Sequence, residues 1–235
     1  MRGVILDSDS FDRGDLDTAA LDNALDHWTR HRSTMSDEVP KRLEGYEVVV
    51  TNKVVIDATA MESPALRLIV VAATGTNNID LAAAARRGIT VCNVRDYASA
   101  AVSQHVFSLV LALVTHLGDY TRAVGQGRWQ QSKVFCMLDY PIRELAGLTL
   151  GIIGYGNLGR RVAQIAQGFQ MQVLICARPG SEAVPDGRVP LDTLLGTADV
   201  ISLHCPLSDA TRNLIGKAQL QRMKSDAILI NTARG

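Results

Sequence analysis

Three glycines in the second half of the sequence have the spacing of a dinucleotide-binding loop. Residues 148–159 read LTLGIIGYGNLG, in which Gly154, Gly156 and Gly159 form the pattern G-x-G-x-x-G. The pattern follows an apolar strand segment and opens a helical segment, which is the context in which it is meaningful. Gly154 permits a tight turn, Gly156 lets the backbone approach a pyrophosphate, and Gly159 lets helix and strand pack closely. The free amides and the positive dipole end of the helix would bind the phosphates, so the sequence predicts a dinucleotide site.

The end of the next predicted strand bears on which dinucleotide is bound. NAD sites usually carry an acidic residue there, which binds the ribose hydroxyls. This strand reads VLICARPG and places Ala177 and Arg178 at that point. A small residue beside an arginine leaves room and charge for a 2′-phosphate, although Arg178 could also be a solvated loop residue with NAD held by other contacts. We therefore expect NAD or NADP as cofactor, with NADP slightly favoured.

Two series of alternating strands and helices are predicted to position these residues. The first series has apolar strand segments at 3–6, 47–52, 68–72 and 90–94, with helices at 16–28 and 79–87. A long helix is predicted over 101–124, and it is followed by an irregular segment over 128–144. The second series has strands at 148–153, 173–176, 199–204 and 227–231, with helices at 158–169, 191–196 and 217–223. This alternation is typical of an α/β fold with parallel sheets covered on both faces.

Composition excludes several classes of protein. The 235 residues include 24 Lys plus Arg and 24 Asp plus Glu, so a formal net charge of zero gives no electrostatic case for a nucleic acid or an anionic membrane. The longest apolar stretch, 106–114, is too short to span a bilayer, and the N-terminal MRGVILDSDSF lacks the features of a secretory signal. The four cysteines are far apart and form no C-x-x-C pair, which argues against a metal site or disulfides and for a reducing cytoplasm.

Several segments together resemble the D-isomer-specific 2-hydroxyacid dehydrogenases, in particular the glycerate dehydrogenase/hydroxypyruvate reductase branch. The matching segments are VVAATGTNNIDLAAAARRGITVCNV, SQHVFSLVLAL, LAGLTLGIIGYGNLGRRVA, ADVISLHCPLSDATRNLI and MKSDAILINTARG. The resemblance implies two doubly wound parallel-sheet domains, with the active site in the cleft between them. These are a flavodoxin-like substrate domain over 1–99 and a Rossmann NAD(P)-binding domain over 100–235, incomplete at its C-terminus. It also implies a homodimer built on the helix near 101–124 and a small 2-hydroxy or 2-oxo acid as substrate.

The resemblance also assigns roles to individual residues. Arg234, in NTARG, matches the arginine that grips the substrate carboxylate, and Thr74, Gly75 and Thr76 match a loop whose amides meet the same group. Asn157 and Leu158 match residues under the pyrophosphate, and Cys205, Pro206 and Thr211 match the loop beside the adenosine half. Thr232 and Ala233 match positions near the nicotinamide. The chemistry agrees for Arg234, because a planar guanidinium can hold a carboxylate with two parallel hydrogen bonds and a lysine cannot.

The sequence departs from the family after NTARG, and this leaves alternatives open. Family members of this length class continue with an acid and a histidine that transfer the proton, and none of the five histidines fits that role by motif. We therefore expect an N-terminal fragment that is inactive alone, and a cofactor-binding module or sensor without turnover is the alternative. The segment ILDSDS also resembles the start of phosphotransfer hydrolases, with Asp7 as nucleophile and Asp9 as acid, but it explains neither the glycine loop nor NTARG. Lys53 could line the cleft or simply be solvated.

Overall fold

The chain divides into two units, Met1–Tyr97 and Ala98–Gly235. The computed structural model describes residues 1–181 and 183–233. The division falls two residues before the predicted boundary between 1–99 and 100–235. The assignment of substrate and cofactor to the two units remains a prediction.

The first unit is built on a five-stranded parallel sheet in the order β2-β1-β3-β4-β5, which is the flavodoxin-like order. Its strands are β1 (Arg2–Ile5), β2 (His27–Arg30), β3 (Val48–Thr51), β4 (Leu68–Val71) and β5 (Thr90–Asn93). Its helices are α1 (Ala19–Asp22), α2 (Val39–Leu43) and α3 (Leu81–Arg86), with three short 3-10 turns at Ser8–Ser10, Ser36–Glu38 and Ala60–Glu62. Every residue of β3 is buried, as expected for a central strand covered on both faces. The predicted α/β class is confirmed.

The helix predicted over 16–28 is wrong. The segment forms only the four-residue α1 before it becomes β2, whose Trp28 lies opposite Gly3 in a parallel pair. A Cβ at Gly3 would come within 2.5 Å of the Trp28 ring and 2.7 Å of the Leu25 side chain. Leu25 and Trp28 therefore cover Gly3 instead of forming one face of a helix, because strand pairing overrides the local spacing.

The second unit holds a four-stranded parallel sheet in the order β7-β6-β8-β9. Its strands are β6 (Thr149–Ile153), β7 (Gln172–Ile175), β8 (Val200–Leu203) and β9 (Ile228–Asn231). Its helices are α4 (Ser99–Val114), α5 (Leu117–Gly125), α6 (Arg128–Gln131), α7 (Asn157–Gly168), α8 (Leu191–Thr197) and α9 (Lys217–Leu220). A parallel bridge between Cys176 and Val189 lies just beyond the end of β7, where a Rossmann sheet places its third strand. Helix α4 packs on α7 over a buried core that includes Val106, Val110 and Val162.

The single helix predicted over 101–124 is two helices. His116 has a φ of 49°, in the left-handed region, and this ends the α-helical run between α4 and α5. Its ring stacks on Tyr140 at 6.1 Å between centroids, and its Nδ1 lies 3.3 Å from Asp119. In the part of the chain that the structure describes, no single helix is long and apolar enough to cross a membrane. Helices α4 and α5 reach that length and composition only as a pair, bent by 62°.

Candidate functional site

The four parallel strands of the second unit end at one edge of their sheet, and the predicted cofactor residues lie in the loops there. Gly154 follows β6, Ala177 follows β7, Cys205 follows β8 and Thr232 follows β9. Open α/β sheets bind ligands outside the carboxyl ends of their strands. The structure therefore brings together residues that are far apart in the sequence, and their individual roles remain predictions.

Two of the glycines are required by close backbone packing. Gly154 has a φ of +99°, and a Cβ there would lie 2.5 Å from the Cys205 nitrogen. The His204 amide donates to the Ile153 carbonyl at 2.7 Å, so the loops after β6 and β8 are held against each other. At Gly159, a Cβ would lie 2.2 Å from the Gly154 carbonyl oxygen. Larger residues at Gly154 or Gly159 would push the turn and the helix apart.

Gly156 faces open space instead. It is the N-cap of α7, with φ −84° and ψ −161°, and no side chain caps the helix. A Cβ at Gly156 would meet no atom within 4 Å. The uncapped first amides of α7, which begins at Asn157, therefore lie beside open space, as a pyrophosphate at a helix N-terminus requires. This cradle fits a dinucleotide.

The end of β7 offers a small residue and positive charge. Ala177 is buried at 8% exposure, whereas Arg178 is exposed. A second arginine, Arg188, donates from Nη1 to the Cys176 carbonyl at 3.3 Å. Its guanidinium carbon lies 6.0 Å from the centroid of the Tyr155 ring in the glycine loop. Sequence reasoning missed Arg188, because only the bridge between Cys176 and Val189 brings it to this edge.

The loop after β8 is held in shape by its own hydrogen bonds. Thr211 Oγ1 donates to the Pro206 carbonyl at 2.6 Å and accepts from the Ser208 amide at 2.8 Å. Cys205, at the start of the loop, is partly buried, and this burial raises the pKa of its thiol. The thiol therefore stays protonated at neutral pH and presents a compact, uncharged surface to the edge of the sheet.

Two buried polar atoms near this edge have no partner among the described residues. They are Nδ1 of His204 and Oγ1 of Thr232. The other ring nitrogen of His204 lies 2.9 Å from the Ser202 hydroxyl, and burial lowers the pKa of His204 to about 4. His204 is therefore neutral at physiological pH. Unpartnered buried polar groups are uncommon in folded proteins.

In the first unit, residues 74–76 form the loop after β4. The Asn93 side chain donates to the Thr74 carbonyl at 2.7 Å, and the Ile79 amide donates to the Thr76 carbonyl at 3.0 Å. Asn78 Nδ2 donates to the Val54 carbonyl at 2.9 Å, which ties this loop to the loop after β3. Gly75 lies partly exposed within it. Thr74, Gly75 and Thr76 belong to the first unit, whereas the predicted cofactor residues belong to the second.

Asp7 is a structural carboxylate and not an available nucleophile. It is 5% exposed and accepts hydrogen bonds from the Asn52 amide at 3.0 Å, the Lys53 amide at 2.7 Å and the Thr51 hydroxyl at 3.1 Å. Asp9, the acid of that hypothesis, forms an ion pair with Arg32 at 3.0 Å. The phosphotransfer interpretation is therefore wrong, because the Asp7 oxygens hold a loop of the fold.

Arg234, the predicted substrate clamp, lies outside the described residues. Of the NTARG segment, the structure describes Asn231, Thr232 and Ala233. The Asn231 side chain accepts from the Ala233 amide at 2.9 Å, so the chain turns directly after β9. The role of Arg234 remains a prediction.

Known proteins are similar to this chain in both sequence and fold. A family model described as D-isomer specific 2-hydroxyacid dehydrogenase, NAD binding domain, matches residues 107–235. A glycerate dehydrogenase of Methylorubrum extorquens is 46% identical over 95% of this chain and 71% of its own length. A hydroxypyruvate reductase of Blautia hydrogenotrophica is 36% identical over 100% of this chain and 75% of its own length.

A solved structure supports the same relationship. The acyclic imino acid reductase Bsp5, in complex with NADPH and D-Arg, superposes with a TM-score of 0.86. It is 26% identical to this chain and is matched over 100% of this chain and 75% of its own. The glycine loop at the carboxyl edge of a parallel sheet, the NAD-binding family model and the NADPH complex of this solved structure agree on one cofactor class, NAD or NADP. The chain therefore belongs to the D-isomer-specific 2-hydroxyacid dehydrogenases, NAD(P)-dependent oxidoreductases that act on 2-hydroxy acids.

Proposed function

We propose that this protein interconverts a small D-2-hydroxy acid and its 2-oxo acid, of the glycerate/hydroxypyruvate or glyoxylate type. The names of two relatives, a glycerate dehydrogenase and a hydroxypyruvate reductase, support this substrate class. The single observation that carries the proposal is the open cradle at Gly156, set at the carboxyl edge of a sheet whose last strand leads into NTARG. This arrangement supports binding of a dinucleotide, and we propose that Arg234, which follows in NTARG, binds the substrate carboxylate.

The substrate carboxylate is the group that this chain is equipped to orient. Arg234 is proposed to hold it with two parallel hydrogen bonds, and the backbone amides of Thr74, Gly75 and Thr76 are proposed to meet the same group. Fixing the carboxylate fixes C2 of the substrate, and such orientation contributes much of the rate gain in a two-reactant step.

When bound, the nicotinamide supplies or accepts the hydride. The chain's own residues are proposed to hold and orient the cofactor. The α7 amides hold the pyrophosphate, and Thr232 lies near the nicotinamide end. Burial lowers the pKa of His204 to about 4, so at neutral pH its ring is not available as an imidazolium proton donor.

We propose that NADP is slightly preferred over NAD. Ala177 removes the carboxylate that would repel a 2′-phosphate, and Arg178 is exposed beside it. Titrating both reduced cofactors by fluorescence tests this. A preference for NADH above about tenfold, roughly 1.4 kcal/mol, contradicts it.

We also propose a cytoplasmic homodimer. Several large apolar side chains of the second unit are exposed, including Leu117, Trp129, Phe135 and Leu138, and a second copy would cover them. The four cysteines are free thiols, which suits a reducing compartment.

Steady-state oxidation of NADPH with hydroxypyruvate, followed at 340 nm, tests the activity in the full product of the gene.

Replacing Arg234 by lysine substitutes a point charge for a bidentate guanidinium. We expect kcat/KM to fall by about two orders of magnitude or more, about 2.7 kcal/mol, while NADPH affinity is retained. Arg222→Lys, at an exposed ion pair with Asp192, is the matched control. Unchanged kinetics in Arg234→Lys would remove this residue from the site, and NADPH binding without turnover in the wild type would favour a sensor.

A further inference from the structure

Arg188 is fixed beside the residue where NAD sites carry their acid. Its Nη1 donates to the Cys176 carbonyl at 3.3 Å, and Cys176 immediately precedes Ala177. The neighbouring backbone is paired on both sides: the Ala177 amide donates to the Val189 carbonyl at 2.8 Å, and the Val189 amide donates to the Ile175 carbonyl at 2.9 Å. Because these bonds fix both segments, the guanidinium is held at the end of β7 rather than on a free loop.

The same guanidinium reaches the glycine loop. Its central carbon lies 6.0 Å from the centroid of the Tyr155 ring, and Tyr155 stands between Gly154 and Gly156. Arg160, in the first turns of α7, lies 5.7 Å from the same ring. Arg188 is half-buried, so its orientation is more restricted than that of the exposed Arg178. Arg160 and Arg188 therefore bring positive charge to the point where the loops after β6 and β7 meet.

These arginines have no ion-pair partner within residues 1–181 and 183–233. In the same range, Arg143 and Arg222 of this unit are paired with carboxylates. An unneutralised guanidinium that is already desolvated on one side binds an anion more strongly than a fully solvated one. The pyrophosphate does not explain Arg188, because the α7 amides at Gly156 already provide for that group. The additional anion at this corner is the one that distinguishes NADP from NAD.

We propose that Arg188 binds the 2′-phosphate of NADP(H) and is the main residue of this chain that selects NADP. The inference rests on the proposed cofactor preference and adds the residue that enforces it. Ala177 provides the space, and Arg178 provides a second, more exposed charge. Hydrogen bonding to the Cys176 carbonyl and contact with the Tyr155 ring hold the guanidinium ready before the cofactor arrives, which lowers the entropic cost of binding.

Ligand titration of the 235-residue chain tests the proposal without requiring turnover. The probes are NADPH, NADH and 2′,5′-ADP, since the last carries the 2′-phosphate without the nicotinamide. We expect Arg188→Gln to weaken the binding of NADPH and of 2′,5′-ADP by at least tenfold, and the binding of NADH by less than about threefold. Arg188→Lys keeps the charge and loses the planar guanidinium, so its affinity for NADPH should lie between those of the wild type and Arg188→Gln. Arg161→Gln, which removes the same charge one residue beyond Arg160 on α7, should change neither affinity.

The possible outcomes separate this inference from the broader proposal. If the wild type prefers NADPH and Arg188→Gln keeps that preference, only the role of Arg188 is overturned. If both Arg188 variants bind NADPH and NADH more weakly by the same factor, the residue is a structural support, and its proposed role in selecting NADP is also overturned. If the wild type binds NADH more than tenfold better than NADPH, the NADP preference itself fails. Thermal unfolding of each variant shows whether a lost affinity reflects a lost fold.

Discussion

The carboxylate of Asp7 fixes the loop that follows β3 in the first unit. It accepts from two backbone amides, of Asn52 and Lys53, and from the hydroxyls of Thr51 and Ser10. The amide of Asn52 is buried, so its donor has no access to water once this acceptor is removed. One side chain thus sets the path of the loop that contains Asn52 and Lys53.

We expect Asp7→Ala to destabilise the protein by about 3 kcal/mol, because it leaves at least two donors unsatisfied in a buried position. Urea unfolding at pH 7 measures this loss. Asp37→Ala, at an exposed carboxylate in the same unit, is the control and should change stability by less than about 0.5 kcal/mol. Unaltered stability in Asp7→Ala would show that the carboxylate is free to serve another purpose.

Single residues are predictable from the sequence where a motif carries the chemistry. The positions of Gly154 and Gly159 follow from the strand–turn–helix context, and the structure gives each a steric reason. Arg188 and the bonding of Asp7 are not predictable in this way. Each depends on a long-range pairing, between Cys176 and Val189 or between the ends of β1 and β3, that no local pattern reveals.

At the scale of elements, Asp199 joins the amino ends of several segments in the second unit. Its carboxylate accepts from the Thr149 amide at 2.8 Å and from Lys224 Nζ at 3.0 Å, and Arg143 Nη2 lies at 3.5 Å. Burial by itself raises the pKa of Asp199, but these three donors outweigh it and hold the pKa below its ordinary value of 3.8. The junction lies at the amino ends of the strands, opposite the cofactor edge.

The lowered pKa of Asp199 makes its contribution to the stability of the fold depend on pH. A carboxylate whose pKa is lowered by folding stabilises the folded state above its ordinary pKa, and that contribution is lost as the pH falls below about 3.8. We expect Asp199→Asn to cost about 1 kcal/mol at pH 7, and the difference from wild type to shrink steadily below pH 3.8. Urea unfolding at several pH values checks this, with the exposed Asp209→Asn as control. A difference that stays constant down to pH 3 would contradict it.

Which elements form was largely predictable, and the exceptions have physical causes. Apolar runs such as that of β3 identify central strands, because burial on both faces requires them. The stretch over 16–28 misleads, because Leu25 and Trp28 have helical spacing but both cover Gly3, Trp28 from the edge strand β2 and Leu25 from the segment before it. The break at His116 is also hidden, because the apolar spacing continues across a residue whose backbone is left-handed.

At the scale of the whole molecule, the exposed apolar surface of the second unit predicts self-association. Phe135 is 93% exposed and Leu138 is 86% exposed, on the segment that follows α6. Burying one phenylalanine against a partner contributes about 1.5–3 kcal/mol, so an aspartate at this position should weaken a dimer strongly. We expect light scattering to give twice the 25.4 kDa chain mass for the wild type and the monomer mass for Phe135→Asp.

Met35→Asp, at a 69% exposed position in the first unit, is the control and should leave the mass at the wild-type value. A wild-type protein that is monomeric at tens of micromolar would remove the dimer from the proposal. Dimers in both variants would place the interface on another surface.

The central claim is that the glycine loop holds a nicotinamide dinucleotide. The most direct test of this claim is to measure NADPH binding by the Gly156→Ala variant. A Cβ at Gly156 meets no protein atom within 4 Å, so Gly156→Ala should change the free energy of unfolding by less than about 1 kcal/mol. The same Cβ would occupy the space assigned to the pyrophosphate. Gly168→Ala, at the far end of α7 and equally free of contacts, is the matched control. By isothermal titration we predict that Gly156→Ala weakens NADPH at least tenfold, about 1.4 kcal/mol, while Gly168→Ala binds as the wild type does. Equal NADPH affinity in all three proteins would contradict the claim.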